Sequence, residues 1–329
     1  FGPHLRLEFE LPGAKETGQI LGLGHSDTVW PLGTLAQMPF EERDGRLWGP
    51  GVLDMKAGLT FFIFAVRALR ELNVRLEKKI VLLVVSDEEV GSVTSREITE
   101  AEARRSEAVL VLEPGTGPTG KLKTARKGVG GYTISVKGRA SHAGVDFAAG
   151  ASAIIELSKQ LNKIAEFTDL DRGITVNPGV IRGGTRTNVV AAEAGAEIDI
   201  RVLTAIQADE LDRKFRGLEP VDGRCTLSIS GSMNRPPMER TPAIAGLFKK
   251  AQAAASELGL AIEESSTGGG SDGNFTAALG IPTLDGLGAV GEGAHAPNES
   301  VVVSRIADRT ALLAALLKVI CGRRDPRLL

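Results

Sequence analysis

Histidine and acidic side chains follow apolar runs at several points of the chain, where the strands of a sheet are expected to end. His25 follows the run QILGLG, and Glu113 follows the run AVLVL. In a parallel sheet the carboxyl ends of the strands share one edge, and ligands bind there. The residues that we expect at this edge are His25, Asp54, Glu88, Glu89, Glu113 and His295.

The donor types in this group indicate a metal site rather than isolated surface charges. Each acid taken alone could be a helix cap or a solvated turn residue. Together the side chains offer oxygen and nitrogen ligands without a thiolate, which suits hydrolytic Zn²⁺, or Mn²⁺ or Co²⁺, in a two-metal site. Cations would also offset the repulsion among Asp87, Glu88 and Glu89, although no role follows for Asp87 itself. Asp27, two residues after His25, could accept a hydrogen bond from the second ring nitrogen of that histidine.

The composition is that of an ordinary globular protein. The 329 residues are 42% hydrophobic and 24% charged, and the net charge of −2 favours neither nucleic acid nor an anionic membrane as a partner. The longest apolar stretches are shorter than the roughly 20 residues of a membrane span. The two cysteines, Cys225 and Cys321, lie far apart, so neither a disulfide framework nor a thiolate zinc site is expected. A metal must then be bound by His, Asp and Glu.

The length of the chain suits two domains of roughly 100–200 residues each. The chain begins at Phe1 rather than at a methionine, just before strand-like residues. We expect a cytoplasmic protein, with the periplasm or secretion as alternatives if a leader peptide precedes Phe1.

The order of strand and helix patterns predicts an α/β domain that is interrupted by a smaller α+β domain. In the first third, apolar strands alternate with helical patterns, which indicates a mostly parallel sheet covered on both faces. After Lys127 the patterns follow the order β-α-β-β-α-β, the ferredoxin-like split unit. The predicted limits are 1–126 and 237–329 for the α/β domain and 127–236 for the inserted domain.

Several motifs, in chain order, resemble those of the M20 family of co-catalytic zinc peptidases, in particular its glutamate carboxypeptidase branch. They are HSDTV, GVLDMKAG, SDEEVGS, LEP, ASHAG and GGGSDG, and the resemblance extends from about residue 19 to the last helix. It implies a zinc-peptidase catalytic domain with an inserted ferredoxin-like dimerisation or lid domain. It also implies two Zn²⁺ per chain, with Mn²⁺ or Co²⁺ as substitutes, and a homodimer formed through the inserted domain.

The resemblance assigns the metal ligands. They are His25 and Glu113 for one ion, Glu89 and His295 for the other, and Asp54 as the bridge between the two. In this family the peptide bond after the bridging aspartate is often cis, and here that bond precedes Met55. Many relatives have a second aspartate where this chain has Met55, and Lys56 does not obviously replace it.

Three further residues receive catalytic roles from the resemblance. Glu88 would be the general base that takes a proton from the metal-bridging water and passes it to the leaving nitrogen. Adjacent residues point to different sides, so Glu89 can bind metal while Glu88 faces the water. Asp27 would orient His25. The partner subunit's His142 would polarise the scissile carbonyl, which makes catalysis depend on a dimer.

Further matches lie on the substrate side. Asn188 and Arg201 would hold the terminal carboxylate of the substrate, a task that suits the planar fork of arginine. Without the resemblance, Arg201 would be interpreted as an exposed strand charge. The glycine-rich loop with Gly269 and Gly270 could bind a carboxylate through its backbone amides, and it lacks the GK[ST] ending of a phosphate loop.

Two other basic residues have two interpretations each. Lys121 aligns with a lysine that holds the side-chain carboxylate in the glutamate-releasing branch, and a solvated loop lysine is the alternative. Arg235, at the return from the inserted domain, would either bind substrate or only stabilise the hinge.

The sequence therefore predicts a dinuclear zinc exopeptidase of the carboxypeptidase type. It would cleave an amide bond and release a C-terminal amino acid, glutamate before others, from an N-acyl or peptidyl substrate with a free carboxylate. An N-acyl amino acid deacylase of the acylornithine or succinyl-diaminopimelate type is the alternative within the same chemistry. A catalytically silent, metal-free binding module is a third possibility, which the intact Glu88 and the complete set of ligands disfavour.

Overall fold

A computed structural model describes residues 2–13 and 18–322 of the chain, and these fall into two compact units. The described residues up to Arg126, with Met238–Thr267 and those from Ser271 onward, form the first unit. Lys127–Pro237 and Gly268–Gly270 form the second. This division differs from the predicted domain limits at Pro237 and at the three glycines, and those limits remain a prediction.

The first unit is built on a five-stranded sheet. Its strands, in spatial order, are β1 (Leu5–Phe9), β5 (Lys79–Val85), β2 (Gln19–His25), β6 (Ser106–Val111) and β13 (Thr283–Leu284). Four of them run parallel, and β1 pairs antiparallel with β5 at one edge. The apolar runs that predicted these strands are buried because both faces of the sheet are covered.

Helices cover the two faces of this sheet. The helices of the first unit are α1 (Ala57–Glu71), α2 (Arg96–Arg104), α5 (Pro242–Glu257), α6 (Gly273–Ala278) and α7 (Ile306–Cys321). Alternate residues of β5 point to opposite cores: Ile80 packs in the core formed with α1, α5 and α7, and Val81 packs in the core on the α2 side. The uniformly apolar sequence of β5 follows from this two-sided burial.

Two smaller sheets complete the first unit. One contains β14 (Gly291–Glu292), β15 (Ser300–Val302), β4 (Arg46–Trp48) and β3 (Glu41–Arg43) in that order, and the other pairs β7 (Leu122–Arg126) with β12 (Glu264–Thr267).

The second unit has the predicted β-α-β-β-α-β order. Its elements are β8 (Gly128–Lys137), α3 (Ala153–Ala165), β9 (Thr175–Gly183), β10 (Glu193–Val202), α4 (Ala205–Arg216) and β11 (Thr226–Arg235). The antiparallel sheet has the order β11-β8-β10-β9. Its core includes a stacked pair of rings, Tyr132 and Phe215, whose centroids are 4.0 Å apart. The predicted fold class, a mostly parallel α/β domain with a ferredoxin-like insertion, is confirmed.

Three neighbouring parallel strands end at the edge where the acids and His25 were expected. His25 is the last residue of β2, Glu88 and Glu89 follow β5, and Glu113 follows β6. Among the described residues, no helix combines the length and apolar character needed to cross a membrane.

Candidate metal centre

The carboxylate of Asp54 lies between two histidine rings. Its Oδ1 is 3.2 Å from Nε2 of His25, and its Oδ2 is 3.3 Å from Nε2 of His295. Asp54 occupies an irregular turn, Val52–Lys56, directly before α1, and the Asp54–Met55 peptide bond is cis, as the resemblance implied. His295 lies in the loop between β14 and β15. One carboxylate therefore faces both imidazoles, each through a different oxygen.

A second carboxylate accompanies each histidine. Oε1 of Glu113 lies 3.5 Å from Nε2 of His25, and Oε1 of Glu89 lies 3.3 Å from Nε2 of His295. The two sets share Asp54, so the arrangement has one His and one Glu on either side of a central Asp. This is the pairing that the resemblance assigned to two ions.

The spacing and burial of these donors fit a divalent metal. Ligand atoms of His25, Asp54 and Glu89 all lie within 4.8 Å of one another. In a tetrahedral site with bonds of about 2.0–2.1 Å, ligand atoms are about 3.3 Å apart, close to the separations found here. The buried Oε1 of Glu89 has no hydrogen-bond donor among the described residues; its contact with the ring of His295 is ionic. A buried carboxylate oxygen of this kind is expected to bind a cation.

The electrostatics of the cluster favour positive charge at both imidazoles. The hydrogen bond to Asp54 raises the pKa of His295 to about 9, with a further contribution from Glu89. Burial opposes protonation of His25, but its contacts with Asp27, Asp54 and Glu113 raise its pKa well above the usual value. A site with this excess of carboxylate attracts cations.

The ring of His25 lies closer to the backbone carbonyl of Asp27 than to its carboxylate. Nδ1 of His25 lies 3.0 Å from the carbonyl oxygen of Asp27 and 3.5 Å from its Oδ1. An Nδ1–H donated to this carbonyl leaves the lone pair of Nε2 for a metal. The other carboxylate oxygen of Asp27 accepts a 3.0 Å hydrogen bond from the amide of Glu89. Asp27 thus contacts one residue of each ligand set.

Met55, where the resemblance implied a second aspartate in many relatives, and its neighbour Lys56 both make contacts with the backbone near His25. The buried Sδ of Met55 accepts the backbone N–H of His25 at 3.3 Å, and Nζ of Lys56 donates to the carbonyl of Ser26 at 3.1 Å. Both contacts attach the Asp54 turn to the end of β2.

Glu88 begins a short 3₁₀ turn, Glu88–Val90, and is partly exposed. Burial lowers the pKa of Arg126, but the charges of Asp285, Glu113 and Glu88 raise it above its ordinary value. Glu88 is therefore within electrostatic reach of the same buried guanidinium as Glu113. Its assignment as the general base remains a prediction.

In the second unit, His142 and Asn188 lie on neighbouring segments. His142 forms an isolated antiparallel bridge with Val189, and the amide of Ala143 donates to the carbonyl of Asn188 at 3.0 Å. Nδ1 of His142 accepts the amide N–H of Gly144 at 3.2 Å. The neutral ring then carries its proton on Nε2, which can donate to a carbonyl oxygen.

Arg201 and Arg235 both contact the glycine-rich loop, which belongs to the second unit. Arg201 forms two 2.9 Å bonds with Asp199, and its Nη1 donates to the carbonyl of Gly268 at 3.4 Å. A Cβ on Gly270 would lie 2.9 Å from Cδ of the buried Arg235, so glycine fits this position best. The structure thus groups Arg201, Arg235 and the loop that contains Gly269.

Lys121, in the first unit, pairs with a surface acid. Its ammonium contacts the carboxylate of Glu263, and both side chains are exposed to solvent. Both interpretations of Lys121, a solvated loop lysine and a substrate-binding lysine, remain predictions.

The chain matches the model of peptidase family M20/M25/M40 over residues 22–319. The chain belongs to this family. It is 30% identical, over 306 residues, to carboxypeptidase G2 of Pseudomonas sp. (strain RS-16). This alignment covers 91% of this chain and 73% of that protein. It is also 30% identical, over 237 residues, to acetylornithine deacetylase of Klebsiella pneumoniae (strain 342), covering 67% of this chain and 60% of that protein.

The fold of this M20 chain is similar to that of a solved structure. The aminopeptidase PepT of Bacillus cereus ATCC 10987 has a TM-score of 0.78 and 24% identity, covering 97% of this chain and 85% of that chain. The predicted M20 membership, the carboxypeptidase-type relatives and the predicted metallopeptidase class are confirmed.

Asp87, for which the sequence indicated no role, has a structural one in this M20 chain. Its Oδ2 accepts hydrogen bonds from the amide and hydroxyl of Thr94, both at 2.7 Å, and from the amide of Ser95 at 3.2 Å. Burial raises the pKa of Asp87, but these bonds from Ser95 and Thr94 lower it overall. Asp87 closes the loop between Glu89 and α2. In the sequence, the pair Thr94 and Ser95 just before helix α2 could have indicated hydrogen-bond donors for Asp87.

A buried charge network under Glu113 was also missed. Arg126 pairs with Asp285 through bonds of 2.7 and 2.8 Å, and its Nη2 lies 4.0 Å from Oε2 of Glu113. Nζ of Lys123 donates to the carbonyl of Pro114 at 2.7 Å. No local pattern links residues this far apart in sequence.

Proposed function

We propose that the chain is a dinuclear zinc exopeptidase that releases a C-terminal amino acid, glutamate before others, from N-acyl or peptidyl substrates. The observation that carries the proposal is the position of Asp54, with its two oxygens facing His25 and His295. A bridging carboxylate with one His and one Glu on each side is a suitable ligand set for two ions. The similarity to carboxypeptidase G2 supports a carboxypeptidase, and the choice of glutamate follows from the resemblance to the glutamate carboxypeptidase branch.

The proposed ligands are His25 and Glu113 on one side, Glu89 and His295 on the other, and Asp54 between them. When bound, two divalent ions would supply Lewis-acid charge for the carbonyl oxygen and lower the pKa of the attacking water. Asp27 fixes the ring of His25 through its carbonyl oxygen, so Nε2 remains available as a ligand.

Glu88 is the proposed general base. It would accept a proton from the attacking water and deliver it to the leaving nitrogen of the amide. Its immediate neighbour Glu89 takes the ligand role, and its partial exposure gives it access to the substrate.

The partner subunit's His142 is proposed to donate Nε2–H to the oxygen of the scissile carbonyl. The accepting role of Nδ1 toward Gly144 supports this tautomer. A homodimer through the second unit would supply this residue. The unpaired edge of β9, where Val180 and Ile181 are exposed, is a candidate surface for that association.

Recognition of the substrate carboxylate is assigned to the second unit. Arg201 and Asn188 would bind it, together with backbone amides of the loop that holds Gly269 and Gly270, and Arg235 would support that loop. Asp199 holds the guanidinium of Arg201 through Nε and Nη2, so the substrate carboxylate would bind to the remaining N–H groups of Arg201. Lys121 would contact a side-chain carboxylate only after leaving Glu263.

The second candidate function is an N-acyl amino acid deacylase, which the similarity to acetylornithine deacetylase favours. A panel of N-acyl amino acids that vary only in the released residue separates the two. Fastest release of glutamate by zinc-loaded protein supports the carboxypeptidase, and fastest release of ornithine supports the deacylase. Protein with two zinc ions per chain that hydrolyses no member of the panel contradicts both.

A further inference from the structure

Glu299 is a buried carboxylate that accepts hydrogen bonds from four N–H groups. Its Oε2 accepts the indole N–H of Trp30 at 2.8 Å and the amide of Gly51 at 2.9 Å. Its Oε1 accepts the amides of Leu53 at 3.0 Å and Asp54 at 3.1 Å. The residue has no solvent exposure, so these donors must balance its charge.

The four donors come from the segments that hold the proposed ligands. Two are backbone amides of the irregular turn Val52–Lys56, one of them that of Asp54 itself, and another is the amide of Gly51, the residue directly before this turn. Trp30 lies five residues after His25, and Glu299 lies four residues after His295. One carboxylate therefore ties together segments from both ligand sets.

A carboxylate suits this position for a chemical reason. The turn leaves several amides pointing inward without the partners of a regular helix, since Asp54 and Met55 have non-helical backbone angles. An ionised carboxylate offers about four acceptor sites and no donor, which matches four N–H groups. A glutamine of the same shape offers one accepting oxygen and places its NH₂ against N–H donors.

We propose that Glu299 is a positioning residue for the metal centre, which holds the backbone of Asp54 so that its carboxylate lies between His25 and His295. This inference rests on the proposed dinuclear function. It assigns Glu299 no contact with substrate or metal. Its effect passes through the amide of Asp54 and the three other N–H groups.

A purely structural role makes a different prediction. Loss of a buried hydrogen-bond acceptor would then lower the melting temperature and leave the coordination of bound metal unchanged. A positioning role changes the coordination itself, even when enough metal is added to fill the sites.

The test compares Glu299→Gln with Glu292→Gln in the full chain, loaded with Co²⁺ in place of zinc. Glu292 lies three residues before His295, whereas Glu299 lies four residues after it. Glu292 is exposed and pairs with Arg46, so Glu292→Gln controls for the loss of one negative charge near the loop that carries His295. Affinity is measured by titration calorimetry on metal-free protein, and coordination by the visible absorption of Co²⁺ at saturation.

We expect Glu299→Gln to lose roughly 10–100-fold in metal affinity, as other supporting residues of metal ligands do, and to show a shifted Co²⁺ spectrum. Glu292→Gln should match the wild type in both. A folded Glu299→Gln protein with wild-type affinity and spectrum overturns the inference, whatever its melting temperature. Wild-type protein that binds fewer than two ions contradicts the proposed function instead, so the two failures are distinguishable.

If Glu299→Gln does not fold, Trp30→Phe replaces it. This change removes one donor to Glu299 and keeps an aromatic ring in place. We expect a several-fold loss of metal affinity with a shifted spectrum, and unchanged values for both overturn the inference.

Discussion

Arg126 and Asp285 form an ion pair with no access to solvent at the aspartate. Nε and Nη2 of Arg126 donate to the two oxygens of Asp285 at 2.7 and 2.8 Å, and 159 residues separate the partners in sequence. Ser271 also donates to Asp285, at 2.7 Å. Because Nη2 of Arg126 is 4.0 Å from Glu113, this pair lies directly beside a proposed metal ligand.

Replacement of Asp285 should destabilise the fold strongly. Asp285→Asn leaves the buried guanidinium without its anionic partner, and breaking a buried pair typically lowers the free energy of unfolding by about 3–5 kcal/mol. Urea unfolding followed by circular dichroism measures the change. Glu264→Gln is the matched control, since Glu264 has the same two-bond geometry with Arg240 at the surface, and little change is expected there. Equal effects of the two substitutions would contradict the assignment.

Lys123, next to this pair, should give the stability a pH dependence. Burial and then the charge of Arg126 lower its pKa to about 8, whereas a lysine in the unfolded chain has a pKa of about 10.4. Between these pH values the unfolded chain binds more protons than the folded protein, so the free energy of unfolding rises with pH. The stability that neutral Lys123 contributes is complete above about pH 10.4 and decreases as the pH falls toward about 8, below which it is lost.

The difference in unfolding free energy between the wild type and Lys123→Met isolates this contribution, because the other titrating groups cancel. It should shift in favour of the wild type as the pH rises from about 8 to about 10. A difference that stays constant over this range would show that Lys123 does not titrate there.

Glu88 and Glu89 should respond in opposite ways to the same substitution. Glu88→Gln removes the proposed base and should lower kcat by about 100- to 10,000-fold while zinc content stays at the wild-type value. Glu89→Gln removes a proposed ligand and should lower zinc content. Metal analysis and steady-state kinetics on the same preparations measure both. Wild-type turnover in Glu88→Gln rules out its assignment as the base.

The proposed role of His142 can be tested by mixing inactive variants. His142→Ala and Glu88→Gln homodimers should each be nearly inactive with full zinc content. After subunit exchange, half of the dimers are mixed, and one of their two sites combines an intact Glu88 with an intact histidine of the partner. Activity should then recover to roughly a quarter of the wild-type value. Lack of recovery despite demonstrated exchange places His142 in its own subunit's site or outside catalysis.

Local patterns in the sequence were sufficient for the fold class and for the strand ends that carry candidate ligands, whereas the assignment of these ligands to two ions came from the resemblance and remains a prediction. Apolar runs such as β5 predicted buried parallel strands, and the order of patterns after Lys127 predicted the β-α-β-β-α-β unit that begins with β8. His25, Glu89 and Glu113 could be placed at one edge because each lies at the end of such a strand or shortly after it.

Long-range pairing explains what the sequence did not predict. Glu299 and Asp285 look like ordinary surface acids in the sequence, since the donors to Glu299 and the ion-pair partner of Asp285 all lie more than 150 residues away. The contacts of Gly268 with Arg201 and of Gly270 with Arg235 likewise join residues that are far apart in sequence, so no local pattern indicates them.

The most direct test of the dinuclear centre is an anomalous difference map at the zinc edge, from crystals of protein purified without chelator. Two peaks per chain should appear, one beside His25 and Glu113 and one beside Glu89 and His295, with an oxygen of Asp54 bound to each. A single peak, or two peaks that do not share Asp54, would contradict the account.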